Sequence, residues 1–374
     1  MKIVFLSDWF SEKMGYAENC LPKAMAALGH DVHVITTNAQ VYFSAPDYQN
    51  VYEPFLGPPI VDCGAKAIEG FHLHRLPIIN SRRGIRMKGL KQMLKNLRPD
   101  IVQTFDVLGP STREAIACRA RLKFKVFTAN HVVASVFPLY HKYGRFTIKE
   151  KVWHWYPNYV RGKRLSAKIE KCFPATSDAK IIATRFWGVP ENKAIVDPLG
   201  VDTFAFKPIE TQQDIESRKR LRQELGIDES EILCIYTGRF TTGKNPLCLA
   251  KAIARVRASG SKYRGLFIGS GPQEQDIRKC AGCIVRPFVP YPQLPDYFRA
   301  ADIGIWPQQE STSMLDAAAS GIPIIISDKV LAIERVDGNG LQYSEGDSES
   351  LSTPCSSCRI AKKGHAWAKM APKR

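Results

Sequence analysis

The chain predicts an α/β protein built from two successive doubly wound domains, on three observations. Its first 36 residues read as strand, loop, helix and strand, the unit from which parallel sheets are built. A second series of the same kind begins near Glu231. A length of 374 residues, with 44% hydrophobic and 24% charged side chains, supplies ordinary globular composition for two cores rather than one. Those figures exclude disorder, collagen and coiled coil.

The elements follow in order. Lys2–Ser7 is an apolar run and reads as the first strand; Asp8 interrupts it too soon for a signal peptide. A loop with Met14 and Gly15 leads to a helix on which Leu21, Met25 and Leu28 recur at i, i+4 and i+7, with Pro22 near its start. Gly29 and His30 stop that helix, and residues 32–36 form the next strand. Residues 91–97 read as helix, 99–103 as strand, and 123–128 as a strand ending at Asn130 and His131. From 137 to 164 the rhythm changes, and aromatics alternate with Lys and Arg. Regular punctuation resumes with Ala175-Thr176-Ser177 and residues 196–201.

The second series opens with a strand at 233–236, a helix over Pro246–Ala258 and a strand over Tyr263–Ile268 that ends in Gly269-Ser270-Gly271. Strands at 284–288 and Ile303–Trp306, a helix at 313–320 and a strand at 322–327 complete it. Two such series predict two Rossmann-like domains, 1–193 and 194–350, joined around residues 190–215, with 351–374 an atypical basic tail.

The formal charge of +17 sits in one window. Residues 1–81 carry 5 basic and 8 acidic side chains, residues 82–185 carry 23 and 6, and residues 186–358 carry 19 and 22. An excess of this size points to an anionic partner: a membrane surface, a phosphorylated substrate or nucleic acid. Its confinement to one stretch, without a recognisable RNA or DNA motif, argues against nucleic acid. No segment reaches the about 18–20 apolar residues needed to cross a bilayer. Ten scattered cysteines suit a reducing cytosol. The pairs Cys280/Cys283 and Cys355/Cys358 lack neighbouring His or Cys at zinc-finger spacing, so a structural reading is preferred to a metal site.

Three loops of the second half converge on one ligand chemistry. Gly238-Arg239-Phe240-Thr241-Thr242-Gly243-Lys244 puts two cations on a Gly-containing turn ahead of a helix, the requirement for a diphosphate; a solvated basic loop is the competing reading. Gln309-Glu310-Ser311-Thr312-Ser313-Met314-Leu315-Asp316 offers hydroxyls to cap a helix starting near Ser313, and carboxylates able to accept two hydrogen bonds from a diol. An ordinary acidic N-terminal cap explains that loop equally well. Gly269-Ser270-Gly271-Pro272 is a tight turn after a strand and is weak alone.

Taken together and in this order, the words resemble the group 1 (family 4) glycosyltransferases of the GT-B fold. They are Gly200-Val201-Asp202 with Pro208, the G-R-x4-K loop, Phe267-Ile268-Gly269-Ser270-Gly271-Pro272, Pro287-Phe288-Val289-Pro290, Ala301-Asp302-Ile303 and Ser320-Gly321-Ile322-Pro323. The N-terminal half joins them through Met14-Gly15, Gly29-His30-Asp31-Val32, Arg98-Pro99-Asp100-Ile101-Val102 and Thr128-Ala129-Asn130-His131, so the resemblance covers residues 1–346.

The resemblance implies a GT-B architecture: two Rossmann-like domains whose parallel sheets face each other across a cleft. It also implies a retaining, metal-independent transfer from a nucleotide-diphosphate sugar used as co-substrate, with no further cofactor. By the same resemblance Arg239 and Lys244 hold the donor diphosphate, Asp316 the ribose and Glu310 the transferred sugar. Gly15 admits the first loop to the phosphates, and His131 faces the reaction centre. The backbone at Phe288 and Val289 meets the base, and Gly238, Gly269, Ser313 and Met314 complete the donor side. The sequence departs from the family where Glu310 and Asp316 are separated by five residues instead of seven, and where Ser311-Thr312-Ser313 replaces Gly-Phe-Gly. The family chain usually continues with a helix that crosses back; the end of this one reads as truncated or frame-altered, an expectation of lower stability or activity.

The acceptor implied is a lipid-linked or cell-envelope glycan. The basic aromatic stretch within 82–185 suits an anionic membrane surface, hence a cytoplasmic protein placed peripherally on the inner face; a solvated basic face with its aromatics turned inward is the competing reading. The alternatives are a catalytically impaired homologue acting as a binding protein, and a GT-B-fold sugar-nucleotide epimerase.

Overall fold

The computed structural model of the chain describes residues 1–81 and 84–351. It divides into two units after Gly200, later than the boundary at 193 read from sequence. The reason is a run of backbone bonds. Ile195 and Asp197 donate to the carbonyls of Cys172 and Pro174 at 3.0 and 2.9 Å, which ties this stretch to the first unit. Residues 196–201 accordingly form no strand. The Cys355/Cys358 pair and the tail from 352 onward lie outside the described residues.

In the first unit the strands are β1 (Lys2–Ser7), β2 (Asp31–Thr37), β3 (Gly64–Ile68), β4 (Phe71–Leu76), β5 (Ile78–Ser81), β6 (Gly84–Met87), β7 (Ile101–Thr104), β8 (Lys125–Asn130) and β9 (Cys172–Pro174). Seven of them form one sheet in the order β3-β4-β2-β1-β7-β8-β9, parallel except for the β3–β4 hairpin. The remaining pair, β5 and β6, forms a separate antiparallel ribbon. Strand β1 explains the layering. Val4 and Leu6 pack on one face with Leu90, Leu94 and Ala115, while Ile3 and Phe5 pack on the other with Leu21 and Met25. Alternate side chains of a strand point to opposite faces, so a strand buried on both sides must be apolar throughout. Each such side chain stabilises the fold by roughly 1.5–3 kcal/mol.

The helix after β1 begins at Ala17, earlier than Pro22 implied, and Pro22 lies inside it. Asn19 accounts for the early start, because its Oδ1 accepts from the Tyr16 N–H at 3.3 Å and closes the first turn.

The second unit carries β10 (Ile232–Thr237), β11 (Tyr263–Ile268), β12 (Cys283–Arg286), β13 (Ile303–Trp306), β14 (Ile324–Ser327) and β15 (Gly340–Tyr343). They form an all-parallel sheet in the order β12-β11-β10-β13-β14-β15. The polar helix Gln212–Glu224, invisible to an apolar-periodicity reading, is fastened to it by charge. Arg218 Nη2 and Arg222 Nη1 donate to the Asp302 carboxylate at 2.8 and 3.2 Å, and that carboxylate also accepts from the Leu233 N–H at 2.8 Å. Arg222 is fully buried, so this network is high-stakes: losing Asp302 leaves cations in the interior without their partner.

Candidate active site

Each sheet reverses its strand order once, and loops beyond the carboxyl ends at such a point enclose a crevice. In the second unit the reversal falls between β10 and β13. The loop after β10 is 238–244 and the segment after β13 is 307–312, while the turns after β11 and β12 lie next along the same edge. Topology therefore gathers the loops singled out by sequence onto one end of one sheet.

The loops after β10 and β11 are knitted together by backbone. Phe240 N–H donates to the Ser270 carbonyl at 2.9 Å, Gln273 N–H donates to the Phe240 carbonyl at 3.0 Å, and Gly238 N–H donates to the Ile268 carbonyl at 3.0 Å. Gly269 is what allows this approach. Its φ is +154°, and a Cβ there would stand 1.9 Å from the Gly238 carbonyl oxygen. The glycine read as part of a phosphate turn thus holds the neighbouring loop in place.

On this support sit Arg239 and Lys244. Lys244 Nζ donates to the Glu310 backbone carbonyl at 2.6 Å, crossing the β10–β13 crevice. Burial, followed by the positive charge of Arg239, pulls the Lys244 ammonium down to about 8 against the pull of Glu310 in the other direction. Arg335, missed in the sequence reading, also acts on Lys244 by charge; its Nη1 donates to the Ser311 carbonyl at 2.7 Å. Three cations around one crevice are the electrostatic complement of a polyphosphate. No sequence word marked Arg335, because it closes the short helical turn Ile333–Arg335, which has no family motif attached.

The hydroxyl-rich segment differs from the expectation. The helix is Ser313–Ala319, its N-cap residue is Thr312, and that residue makes no side-chain capping bond. Thr312 already has helical backbone angles, whereas a capping side chain needs an extended residue to reach forward. Ser311 and Ser313 hydroxyls bond each other instead, at 2.7 Å. Ser313 and Met314 are buried. Asp316 is buried as well, accepting from the Tyr291 hydroxyl at 3.1 Å, and burial pushes its carboxyl up to about 7. Gln309 packs over Gly243, with Nε2 3.4 Å from where a Cβ would be. Phe288 and Val289 are half-buried in the turn after β12, just before Tyr291.

In the first unit the reversal falls between β1 and β7. Gly15 lies in the half-buried turn between β1 and its helix, and His131 immediately follows β8. Burial pushes the His131 imidazole down to about 4, so it is a neutral ring, tilted against Phe105 with centroids 6.0 Å apart. The sequence reading passed over Asp8. It caps the helix Pro110–Leu122 from the neighbouring loop, accepting from the Ser111 hydroxyl and, at 3.2 Å, from the Ser111 N–H. Burial lifts the Asp8 carboxyl to about 6. Its signal was an acidic residue directly after the first buried strand.

The thiols of Cys280 and Cys283 donate to the carbonyls of Asp276 and Ala250 at 3.4 and 3.8 Å, and burial raises both. Among the described residues no group of three or more His, Cys, Asp or Glu is placed to hold a metal ion.

Two units with parallel sheets and this site define a GT-B glycosyltransferase fold. Sucrose-phosphate synthase from Thermosynechococcus elongatus superposes with a TM-score of 0.68 at 16% identity, covering 99% of this chain and 92% of that one. Anabaena HepE in complex with UDP-glucose gives 0.67 at 16%, covering 99% and 93%. Residues 231–358 match the family described as Glycosyl transferases group 1. In sequence, TuaC of Bacillus subtilis, named as a teichuronic acid biosynthesis glycosyltransferase, is 24% identical over 347 residues, 88% of this chain and 81% of that protein. That family match spans the segment that carries Arg239, Lys244, Glu310 and Asp316.

Proposed function

We propose that the protein transfers a glycosyl group from a nucleotide-diphosphate sugar to a cell-envelope or lipid-linked acceptor at the cytoplasmic face of the membrane. The observation that carries this reading is the Lys244–Glu310 bond across the crevice, on a loop that also bears Arg239. Chemistry at an anomeric carbon breaks its bond to the diphosphate oxygen, and negative charge builds up on that oxygen. Fixed cations aimed at that charge lower the barrier, by about 3–4 kcal/mol for a well-placed donor. With no carboxylate assigned as a nucleophile, the acceptor hydroxyl oxygen bonds to the anomeric carbon from the face the diphosphate leaves, its proton passes to the departing diphosphate oxygen, and configuration is retained without a metal. Binding of the donor falls to the second unit, residues 194–350 in the sequence division, and the first unit receives the acceptor. Similarity to TuaC supports an envelope glycan as the acceptor class.

Thermal unfolding with UDP-, GDP- and ADP-sugars tests the donor, since a true donor raises the midpoint with concentration. Mass analysis of products with envelope extracts then tests transfer. Failure of every nucleotide sugar to shift unfolding sinks the proposal. A second reading, an impaired homologue that binds donor without turning it over, is favoured by the inward-facing Asp316 and the Ser311-Thr312-Ser313 replacement. Stabilisation without hydrolysis or transfer selects it.

A further inference from the structure

The aromatic and basic residues between 137 and 166 separate onto two faces. Phe137 stands edge-on to Phe186 at 5.1 Å, Trp155 Nε1 donates to the Arg185 carbonyl at 2.9 Å, and Trp155 stacks near Tyr159 at 5.3 Å. Gly162 brings the helix against the Trp187 backbone, where a Cβ would stand 1.8 Å from the carbonyl oxygen. Gly162 is buried, and Phe137, Trp155 and Tyr159 are half-buried, with Phe137 and Trp155 packed against the core of the first unit.

The other face has no such use. Helical segments Ile148–Glu150, Lys151–Trp155 and Tyr156–Ser166 follow one another without a break. Their outer side exposes Ile148 (83%), Val152 (53%), Trp153 (72%) and Tyr156 (59%). Ile148, Val152 and Tyr156 recur every fourth residue and form a stripe. The stripe runs into a depression of about 540 Å³ lined by Tyr156, Pro157, Val160, Arg161, Arg164 and Leu165. Lys149, Lys151, Arg161, Lys163 and Arg164 flank it, and the one acidic residue here, Glu150, is held by Lys142 at 2.7 Å.

A single exposed Trp is ordinary, but four large apolar side chains within nine residues, set among cations, are not. A nucleic acid would use the cations and the aromatic rings, and would gain nothing from Ile148 and Val152. An acyl boundary uses all of them. No helix among the described residues is long and apolar enough to cross a membrane, and this one carries its apolar side chains exposed on the protein's own surface.

We propose that the outer face of residues 148–165 docks on an anionic lipid bilayer. Ile148, Val152, Trp153 and Tyr156 enter the headgroup–acyl boundary, and Lys149, Lys151, Arg161 and Arg164 meet the lipid phosphates. The placement gives part of the basic surplus of residues 82–185 a use, and it stands independently of the transferase reading.

The test is co-sedimentation of the full chain with vesicles of phosphatidylcholine alone or with about 30% phosphatidylglycerol, at about 50 and about 500 mM salt. Retention on anionic vesicles at low salt should exceed that on neutral ones by about tenfold and fall at high salt. Ile148→Ser with Trp153→Ser, and separately Lys149→Gln with Lys151→Gln and Arg161→Gln, should each lower it by about tenfold. Thermal unfolding and the shift produced by nucleotide sugar should remain at wild-type values in both variants. Equal retention on neutral and anionic vesicles overturns the proposal, as does absence of retention at low salt. Retention that the Ile148/Trp153 variant leaves intact also overturns it, because charge alone then accounts for binding, as for a polyanion such as RNA.

Discussion

Lys244 Nζ and the Glu310 carbonyl oxygen, 2.6 Å apart, link the loop after β10 to the segment after β13 at the point where the sheet reverses. The bond fixes the ammonium between the two loops, where the proposed function puts the donor diphosphate. It also keeps the charge in a partly desolvated place, beside Arg239 and Arg335. Such an arrangement weakens the lysine's hold on its proton and strengthens its hold on an anion.

Replacing Lys244 or Arg239 with Ala should lower kcat/KM for transfer by about 10²–10³, the usual cost of removing one group that stabilises developing negative charge. Urea unfolding should change little. The pH profile gives a separate signature. Lys244 is charged below about 8 and loses its proton as pH rises through that value, so kcat/KM should fall above pH 8. Lys244→Arg keeps its charge and should remove that alkaline limb. An unchanged limb in the arginine variant assigns the titration to another group.

Gly269→Ala should destabilise the second unit by about 3 kcal/mol or more, since a methyl group cannot share space with the Gly238 carbonyl. Gly260→Ala makes the control. It also has a positive φ, +84°, but nothing stands within 4 Å of its Cβ, so about 1 kcal/mol is expected. Denaturant midpoints for both variants measure the difference. Equal losses would mean that strain in φ, and not the loop-to-loop approach, governs this turn.

Much of this was legible in the sequence. Lys2–Ser7, Pro246–Ala258, Tyr263–Ile268 and Ile303–Trp306 have the bounds their apolar runs imply, because a doubly buried strand or an amphipathic helix writes its burial into local pattern. β3, Gly64–Ile68, was hidden because it is a short, exposed edge strand whose small side chains show no buried alternation, held by a hairpin turn with Glu69 at φ +45° and Gly70 at φ +88°. The helix Gln212–Glu224 was hidden because its docking is ionic. At the site, the loops could be named from glycines and cations, but the partners of those residues are fixed by tertiary contacts. Asp316 turning to Tyr291, Lys244 reaching the Glu310 carbonyl and Asp8 capping a helix that starts 102 residues later are of that kind.

Asp316→Asn should stabilise the protein, and more so at higher pH. The carboxyl sits at about 7 in the folded chain against an ordinary value of 3.8, because burial disfavours the charged form. The folded state therefore binds the extra proton, and stability falls as pH rises from about 4 through 7. An amide can still accept from the Tyr291 hydroxyl and has no charge to bury. A gain of about 2 kcal/mol at pH 8 that shrinks to near zero at pH 4 is expected from unfolding curves. A loss at every pH would show that the charged form is stabilised by its surroundings.

The histidines of β2 and β4 set the acid side of stability. His33 Nδ1 and His74 Nε2 are 2.9 Å apart, a distance that requires one of the two nitrogens to be an unprotonated acceptor. Burial lowers both imidazoles below their ordinary 6.5. His72, stacked on His33 at 5.1 Å, adds to the effect on each, and Lys2 adds to it at His33. The Asp31 carboxylate, 3.0 Å from His33 Nε2, opposes it only in part. The unfolded chain then binds more protons than the folded one just below pH 6.5. The pair's contribution to stability is full above that value and declines as pH falls, by about 1 kcal/mol between pH 7 and 5. Asp31 is held below its ordinary 3.8, so its own acid limb lies lower; His131 adds to the acid-side loss and Asp8 and Asp316 oppose it, so the pair's share is read as the difference between wild type and variant. Unfolding free energies of wild type and His74→Gln across pH 5–7 measure the contribution. The variant's slope should flatten, since Gln can still donate to His33 and takes up no proton, whereas parallel slopes would move the titration to other groups.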